Sequence, residues 1–227
     1  MTDILCWICG ETAPLSKEHL IKHSDLKTTL GLISQQAPKY FHTLNEEEGK
    51  KISSFKRSEL LRSEAPMCNK CNNDRTQKYD RSWQRLHSYL LIHQAKTPKV
   101  IDLNEVFSEE PLLHMDRVQL YFAKIFGCRL VSNSIHFPIH ELAEALLHDK
   151  AHPNIYLSIG YSQIDLVGIS PLINYTMPNN NESFVWMYSI GHIQVQIGYS
   201  KFHIPNTKEA SYDPSKKVFQ ISIQQFP

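Results

Sequence analysis

The sequence predicts an α+β protein: a cysteine-clamped N-terminal unit, residues 1–97, followed by an α+β domain, residues 98–227, with a mainly antiparallel sheet. Three observations carry this expectation. Two Cys-x-x-Cys pairs, Cys6-Trp7-Ile8-Cys9 and Cys68-Asn69-Lys70-Cys71, bracket the first third of the chain. Tyr79, Trp83, Leu86 and Leu90 then recur at helical spacing. Towards the C-terminus, apolar and polar residues alternate with the period of two that marks strands.

The cysteine pairs use four of the five cysteines. Two-residue spacing lets both thiolates of a pair reach one ion, and two such pairs complete the tetrahedral sulfur set of a structural zinc site. No basic region precedes an apolar run at the N-terminus, so no secretory signal is expected. No apolar stretch approaches the roughly 18–20 residues that span a bilayer. A cytoplasmic, non-membrane protein is therefore expected, where cysteines so spaced read as zinc ligands before disulfides or a redox pair. Cys128 reads as a small buried hydrophobe.

With 227 residues, 41% of them hydrophobic, the chain can bury one large core or two small ones. A net charge of +1 does not announce a nucleic-acid binder. Residues 1–90 carry 14 Lys/Arg against 11 Asp/Glu and the remainder 10 against 12, a weak asymmetry that a solvated face also produces.

Residues 4–33 hold the first cysteine pair, a turn at Gly10 and the segment Ser16-Lys17-Glu18-His19-Leu20-Ile21. Residues 34–58, polar and centred on Glu46-Glu47-Glu48-Gly49-Lys50-Lys51, read as a long surface loop. A helix is expected from about Asn73 to His93, ended by Lys96-Thr97-Pro98-Lys99-Val100. Leu113, Val118, Phe122 and Ile125 mark a further helix that Gly127 can terminate, and Ile139 to Leu147 mark another after Pro138. Phe184 to Ile190, apolar on both faces, reads as a central strand. Ile193, Val195, Ile197 and Tyr199 alternate with polar residues, and Phe219, Ile221 and Ile223 alternate again. Pro178 to Glu182 and Pro205 to Pro214 read as turn-rich loops. There is no internal repeat and no low-complexity segment.

A phosphodiester hydrolase needs a divalent cation on hard ligands and a neutral imidazole to deprotonate water. Glu18 and His19 are adjacent, so on a strand they point in different directions, one towards a metal and one towards water. Asn72 follows the last cysteine and opens a helix, whose N-terminus also favours phosphate.

The order of these residues, Cys6, Cys9, Glu18, His19, Cys68, Cys71 and Asn72, resembles the HNH endonuclease superfamily with its ββα-metal fold. The run Cys71-Asn-Asn-Asp-Arg-Thr-Gln-Lys-Tyr-Asp-Arg-Ser-Trp83 is similar to the closing helix of many such nucleases. The likeness covers about residues 4–85 and includes phage and anti-phage-defence members. It implies a metal-dependent DNA endonuclease, an effector of phage defence, with His19 as general base and Glu18 and Asn72 as ligands of a catalytic Mg²⁺ or Mn²⁺. Arg75 resembles a phosphate-contacting residue. Two departures stand out: Glu18 occupies a place where Asp is commoner, and the middle Asn of the pattern is missing, Ser63 being nearest its place.

Each residue has a structural alternative. His19 suits a surface turn, and His23 suits a structural or solvent-facing position. Asn72 suits a helix cap, in which case Asn73 is the ligand. Asp80 and Arg81 suit local ion pairs, and Trp83 suits the core better than a base-stacking platform. The competing reading for the whole is a non-catalytic zinc module that binds nucleic acid or protein, and a thiol-disulfide enzyme is a poorer third. For the C-terminal domain, positioning DNA, sensing a signal and docking a partner all stay open. Its modest charge and strand-rich, aromatic character favour protein contact or self-association, and the resemblance implies a partner such as an ATPase.

Overall fold

A computed structural model describes residues 4–41, 49–177, 181–201, 211–214 and 218–226. Glu46, Glu47 and Glu48, at the centre of the expected loop, lie outside these residues, as do Pro178 to Asn180 and Pro205 to Ala210 in the two turn-rich loops.

The N-terminal part is organised by a short antiparallel ribbon. Strand β1 (Leu15–Ser16) pairs with β4 (Met67–Cys68), Leu15 opposite Cys68. The ribbon continues less regularly at both ends. The Asn69 N–H donates to the Pro14 carbonyl, Ser63 to Glu18, and Leu20 to Leu61, while His19 bridges to Arg62. Between the two strands the chain forms helix α1 (His23–Leu30) and a small hairpin, β2 (Lys39–Phe41) with β3 (Lys50–Ile52). Part of the stretch expected to be irregular is therefore paired strand. After β4, one π-helical turn (Lys70–Arg75) leads into α2 (Gln77–His93). Tyr79, Trp83, Leu86 and Leu90 of α2 are all buried, as their spacing predicts.

The C-terminal part opens with β5 (Val100–Asp102) and the single turn α3 (Leu103–Val106). Helices α4 (Pro111–Ser132) and α5 (Ile139–Leu147) follow. The strands β6 (Ile155–Ile169), β7 (Ile173–Met177), β8 (Asn181–Tyr199) and β9 (Gln220–Phe226) complete a five-stranded sheet, order β5-β9-β6-β8-β7. Every pairing is antiparallel except β6 with β9. The long β8 covers both runs read from the sequence as separate strands. Ile193, Val195, Ile197 and Tyr199 are buried and His192 is exposed, but Gln194 on the polar side is buried as well.

Helix α4 is the axis of the molecule. It is buried on every side from Val118 to Cys128, packed against α2, α5 and β6. The expected division at residue 97 falls between α2 and β5, yet one continuous apolar core runs from Cys6 to Ile223. Trp83 of α2 stacks on Tyr121 of α4 (centroids 5.8 Å apart) and meets Phe122 and Tyr188 edge-on. The Tyr79 hydroxyl donates to the Leu146 carbonyl of α5, and that of Tyr161 in β6 to the Leu90 carbonyl of α2.

Gly127 does not terminate α4, which runs on to Ser132. Its role is steric. A β-carbon there would lie 2.3 Å from Cη2 of Trp7, so the missing side chain is the seat for the indole held between Cys6 and Cys9. Gly127→Ala should displace that indole and lower stability by about 1–3 kcal/mol, the cost of overpacking. Urea unfolding measures this, and an unchanged midpoint would contradict the assigned role.

Candidate functional site

The four paired cysteines converge where the ribbon meets the π turn. All four sulfur atoms lie within 4.8 Å of one another, and none is in a disulfide. The Sγ atoms of Cys9 and Cys68 are 3.7 Å apart. Four sulfurs about 2.3 Å from a central ion would have tetrahedral edges of about 3.8 Å, whereas a disulfide would need about 2.05 Å. Geometry and donor set both suit one metal ion.

Local backbone explains the convergence. The Gly10 N–H donates to the Cys6 carbonyl (2.8 Å), closing the first loop with a left-handed residue at φ 71°. In the second loop the Cys71 N–H points at Cys68 Sγ (3.4 Å), and Arg75 Nη1 donates to Cys71 Sγ (3.2 Å). Such donors favour thiolate charge and orient the ligands. Burial pushes the Cys71 thiol up, while at Cys6 backbone hydrogen bonds from Cys68, Cys9 and Ile8 outweigh burial and bring it down. Arg75 is thus engaged with the sulfur cluster.

Glu18 and His19 lie on opposite faces of the ribbon, as alternation requires. Glu18 turns inward and is buried. Its Oε1 lies 2.9 Å from Nζ of Lys124, a fully buried lysine of α4 that also reaches Asp80 Oδ1 of α2 (3.0 Å) and Thr76 Oγ1 (3.4 Å). Burial, with Asp80 nearby, holds the Glu18 carboxyl above the usual carboxylate range against the pull of Lys124. Burial alone would lower Lys124, but the two carboxylates sharing its ammonium hold it above its ordinary value. Asp80 therefore pairs across to α4 rather than locally along α2. Lys22 Nζ donates to the Asp80 carbonyl (2.7 Å), drawing the start of α1 onto the same cluster.

His19 faces the other way, towards Phe55, Lys56 and Arg62. Burial and then the Arg62 charge lower its pKa, with His23 adding to the effect. The ring is therefore neutral near pH 7, although the Lys56 and Phe55 carbonyls pull the other way, and among the described residues its Nε2 is enclosed without a hydrogen-bond partner. His23 is exposed and meets Phe55 edge-on at 6.4 Å. Asn72 sits in the π turn, its Nδ2 donating to Ser16 Oγ on β1 (3.0 Å), while Asn73 is exposed. Ser63 is buried, its Oγ 2.7 Å from that of Ser132 and donating to the Cys128 carbonyl, so it ties the ribbon to α4. Cys128 is buried with its thiol pushed up to about 12 by burial, and Trp83 is core.

The structure thus gathers the four cysteines with Arg75, and Asn72 with Ser16, but separates Glu18 from His19. Lys124 was not anticipated. Its signal was present, because it is the only charged residue in the mostly apolar stretch from Val118 to Cys128. Among the described residues no helix is long and apolar enough to cross a membrane. Comparison with protein-family models, curated proteins and solved structures returns no match to this chain.

Two measurements check this geometry. Elemental analysis should find one tightly held metal ion per chain. Metal affinity on the order of 10 kcal/mol is here folding free energy, so Cys68→Ser should lose the ion and unfold the ribbon. A soluble, fully folded protein with all four cysteines replaced by serine would contradict the assignment. In an NMR titration the His19 ring should titrate below about 6.5, the ordinary histidine value. Arg62→Ala should move it upward by removing a neighbouring positive charge. A downward move or no move would show that Arg62 does not act on the ring.

Proposed function

We propose that this protein is a metal-dependent endonuclease that hydrolyses phosphodiester bonds in DNA, with zinc as the structural ion on Cys6, Cys9, Cys68 and Cys71. The observation that carries the reading is the setting of His19. It is a neutral imidazole with a ring nitrogen unpartnered among the described residues, on a ribbon fixed by the four-cysteine cluster and flanked by Arg62 and His23. The resemblance of the motif order to HNH nucleases points the same way.

In this reading Nε2 of His19 accepts the proton of the attacking water. Because that nitrogen is enclosed, water must arrive with the substrate as the Phe55–Lys56 segment yields. The guanidinium of Arg62 lies on the same face as the base, but its Nη1 donates to Glu59 Oε1 (3.2 Å) and its Nη2 to the Lys56 carbonyl (2.7 Å), so gripping a phosphate requires it to leave these partners. Arg75 contributes to the sulfur cluster instead. The donor set for a catalytic Mg²⁺ or Mn²⁺ fits poorly: Asn72 retains an amide oxygen, but the Glu18 carboxylate is shared with Lys124, whose ammonium opposes a second cation. No step is therefore assigned to that ion. The phage-defence setting, and a protein partner such as an ATPase on the C-terminal part, follow from the resemblance alone.

The Glu18–Lys124 pair favours the second reading, a zinc-stapled module that binds nucleic acid or protein without catalysis. One experiment separates the two. Supercoiled and linear DNA are incubated with purified protein in Mg²⁺, Mn²⁺ or EDTA. The nuclease reading expects cleavage with a divalent ion, reduced roughly 10²–10⁴-fold by His19→Ala, with fold and structural metal intact. DNA binding without cleavage under every condition would favour the module, whereas undiminished cleavage by the variant would overturn His19 as the base.

A further inference from the structure

We propose that the cavity between the His19-bearing ribbon and the β6–β8 face is a binding site for a small organic anion with an apolar body. Its volume is about 820 Å³, within the range of sites that enclose drug-sized ligands. Most of the wall is aliphatic or aromatic: Leu20 and Ile21 from the ribbon, Phe41 from β2, Leu166 and Ile169 from β6, and Met187 from β8. Arg129, Lys39, Tyr40, Ser189 and Gln194 bring polar groups to the same space, two of them cationic. No acidic residue is part of the described wall. This inference goes beyond the nuclease reading and does not rest on it.

Arg129 is the reason for an anion. It follows the buried stretch of α4 and turns its guanidinium to the cavity side. There Nη2 donates to the Ser170 carbonyl (2.7 Å), and the group stacks over Trp186 at 5.0 Å. Nη1 is enclosed without an acceptor, and no carboxylate pairs with the guanidinium among the described residues. Burial draws its pKa down to about 10, so it remains charged at neutral pH. A cation in apolar surroundings without a counter-charge is unfavourable, and cation–π contact with one indole compensates only in part. A ligand that places a carboxylate or phosphate at this end and fills the aliphatic end supplies the counter-charge and displaces water from the apolar wall.

Gly168 supplies a way to close the site. It lies in the cavity wall on β6, and a β-carbon added there meets no atom within 4 Å. The β-carbon of Gly168→Phe is therefore free of clashes, and its ring should occupy the space that Gly168 and its cross-strand partner Ser189 border.

The test uses two fluorescent probes of similar shape, the anionic anilinonaphthalene sulfonate and the uncharged phenylnaphthylamine, titrated against the full chain. The proposal expects one saturable site per chain for the anionic probe. Arg129→Met should weaken that probe about tenfold or more while the uncharged probe holds its affinity. Gly168→Phe, with unchanged circular dichroism and melting, should abolish both. Decanoate and decyl phosphate should displace the anionic probe and decanol should not, the stronger of the two anions identifying the head group. Equal weakening of both probes by Arg129→Met would overturn the proposal. So would full affinity for the anionic probe in Gly168→Phe, or displacement by decanol as effective as by the anions. If Arg129→Met fails to fold, the decanol comparison in the unaltered chain and Gly168→Phe still decide the matter.

Discussion

The ammonium of Lys124 is the constraint on which the arrangement turns. It is fully buried, so water cannot satisfy it, and its partners come from elements far apart in sequence: Glu18 on the ribbon, and Asp80 and Thr76 at the start of α2. Withdrawing any of these elements from α4 would leave a charge uncompensated in a low-dielectric interior. Breaking one side of such a pair typically costs about 3–5 kcal/mol, although replacing the whole cluster with apolar groups can be nearly neutral. The network therefore fixes relative positions more than it adds net stability. It also sets the inward direction of Glu18, and by alternation turns His19 to the opposite face.

Other contacts reinforce the same joint. Asp25, 1% exposed on α1, accepts from Trp83 Nε1 (2.7 Å) and from the Tyr188 hydroxyl (3.0 Å), and lies 3.5 Å from His87 Nδ1. One carboxylate thereby links α1, α2 and β8. The Trp7 indole seated on Gly127 joins the first cysteine loop to α4, and Ser63 with Ser132 joins the other strand of the ribbon to it. The sulfur cluster is thus buttressed by the C-terminal part as well as closed by its own loops.

What could be read from the sequence is what depends on near neighbours. Cysteine spacing is a local geometric condition, so the four-sulfur cluster was legible. The apolar period of Tyr79 to Leu90 and the start signal of Pro138 similarly defined α2 and α5 to within a few residues. Gly127 misled because its partner, Trp7, lies far away in sequence, and from the local pattern a gap for an indole and a helix stop look alike. The extent of β6 was hidden because alternation breaks after Tyr161, where its register against β8 shifts before Leu166. Helix α1 is short and carries a buried aspartate whose partners are Trp83 and Tyr188. The fate of Glu18 depended on a lysine in the other half of the chain, and no local pattern announces such a pairing.

These contacts make the sulfur cluster and the sheet parts of one cooperative unit. The most direct test is equilibrium unfolding in urea of the metal-loaded chain, followed at once by thiol reactivity of the four-cysteine cluster and by far-ultraviolet circular dichroism of the sheet. Both signals should change together, in one transition with a common midpoint. Thiol exposure at lower urea with the sheet signal intact, or the reverse order, would contradict the account.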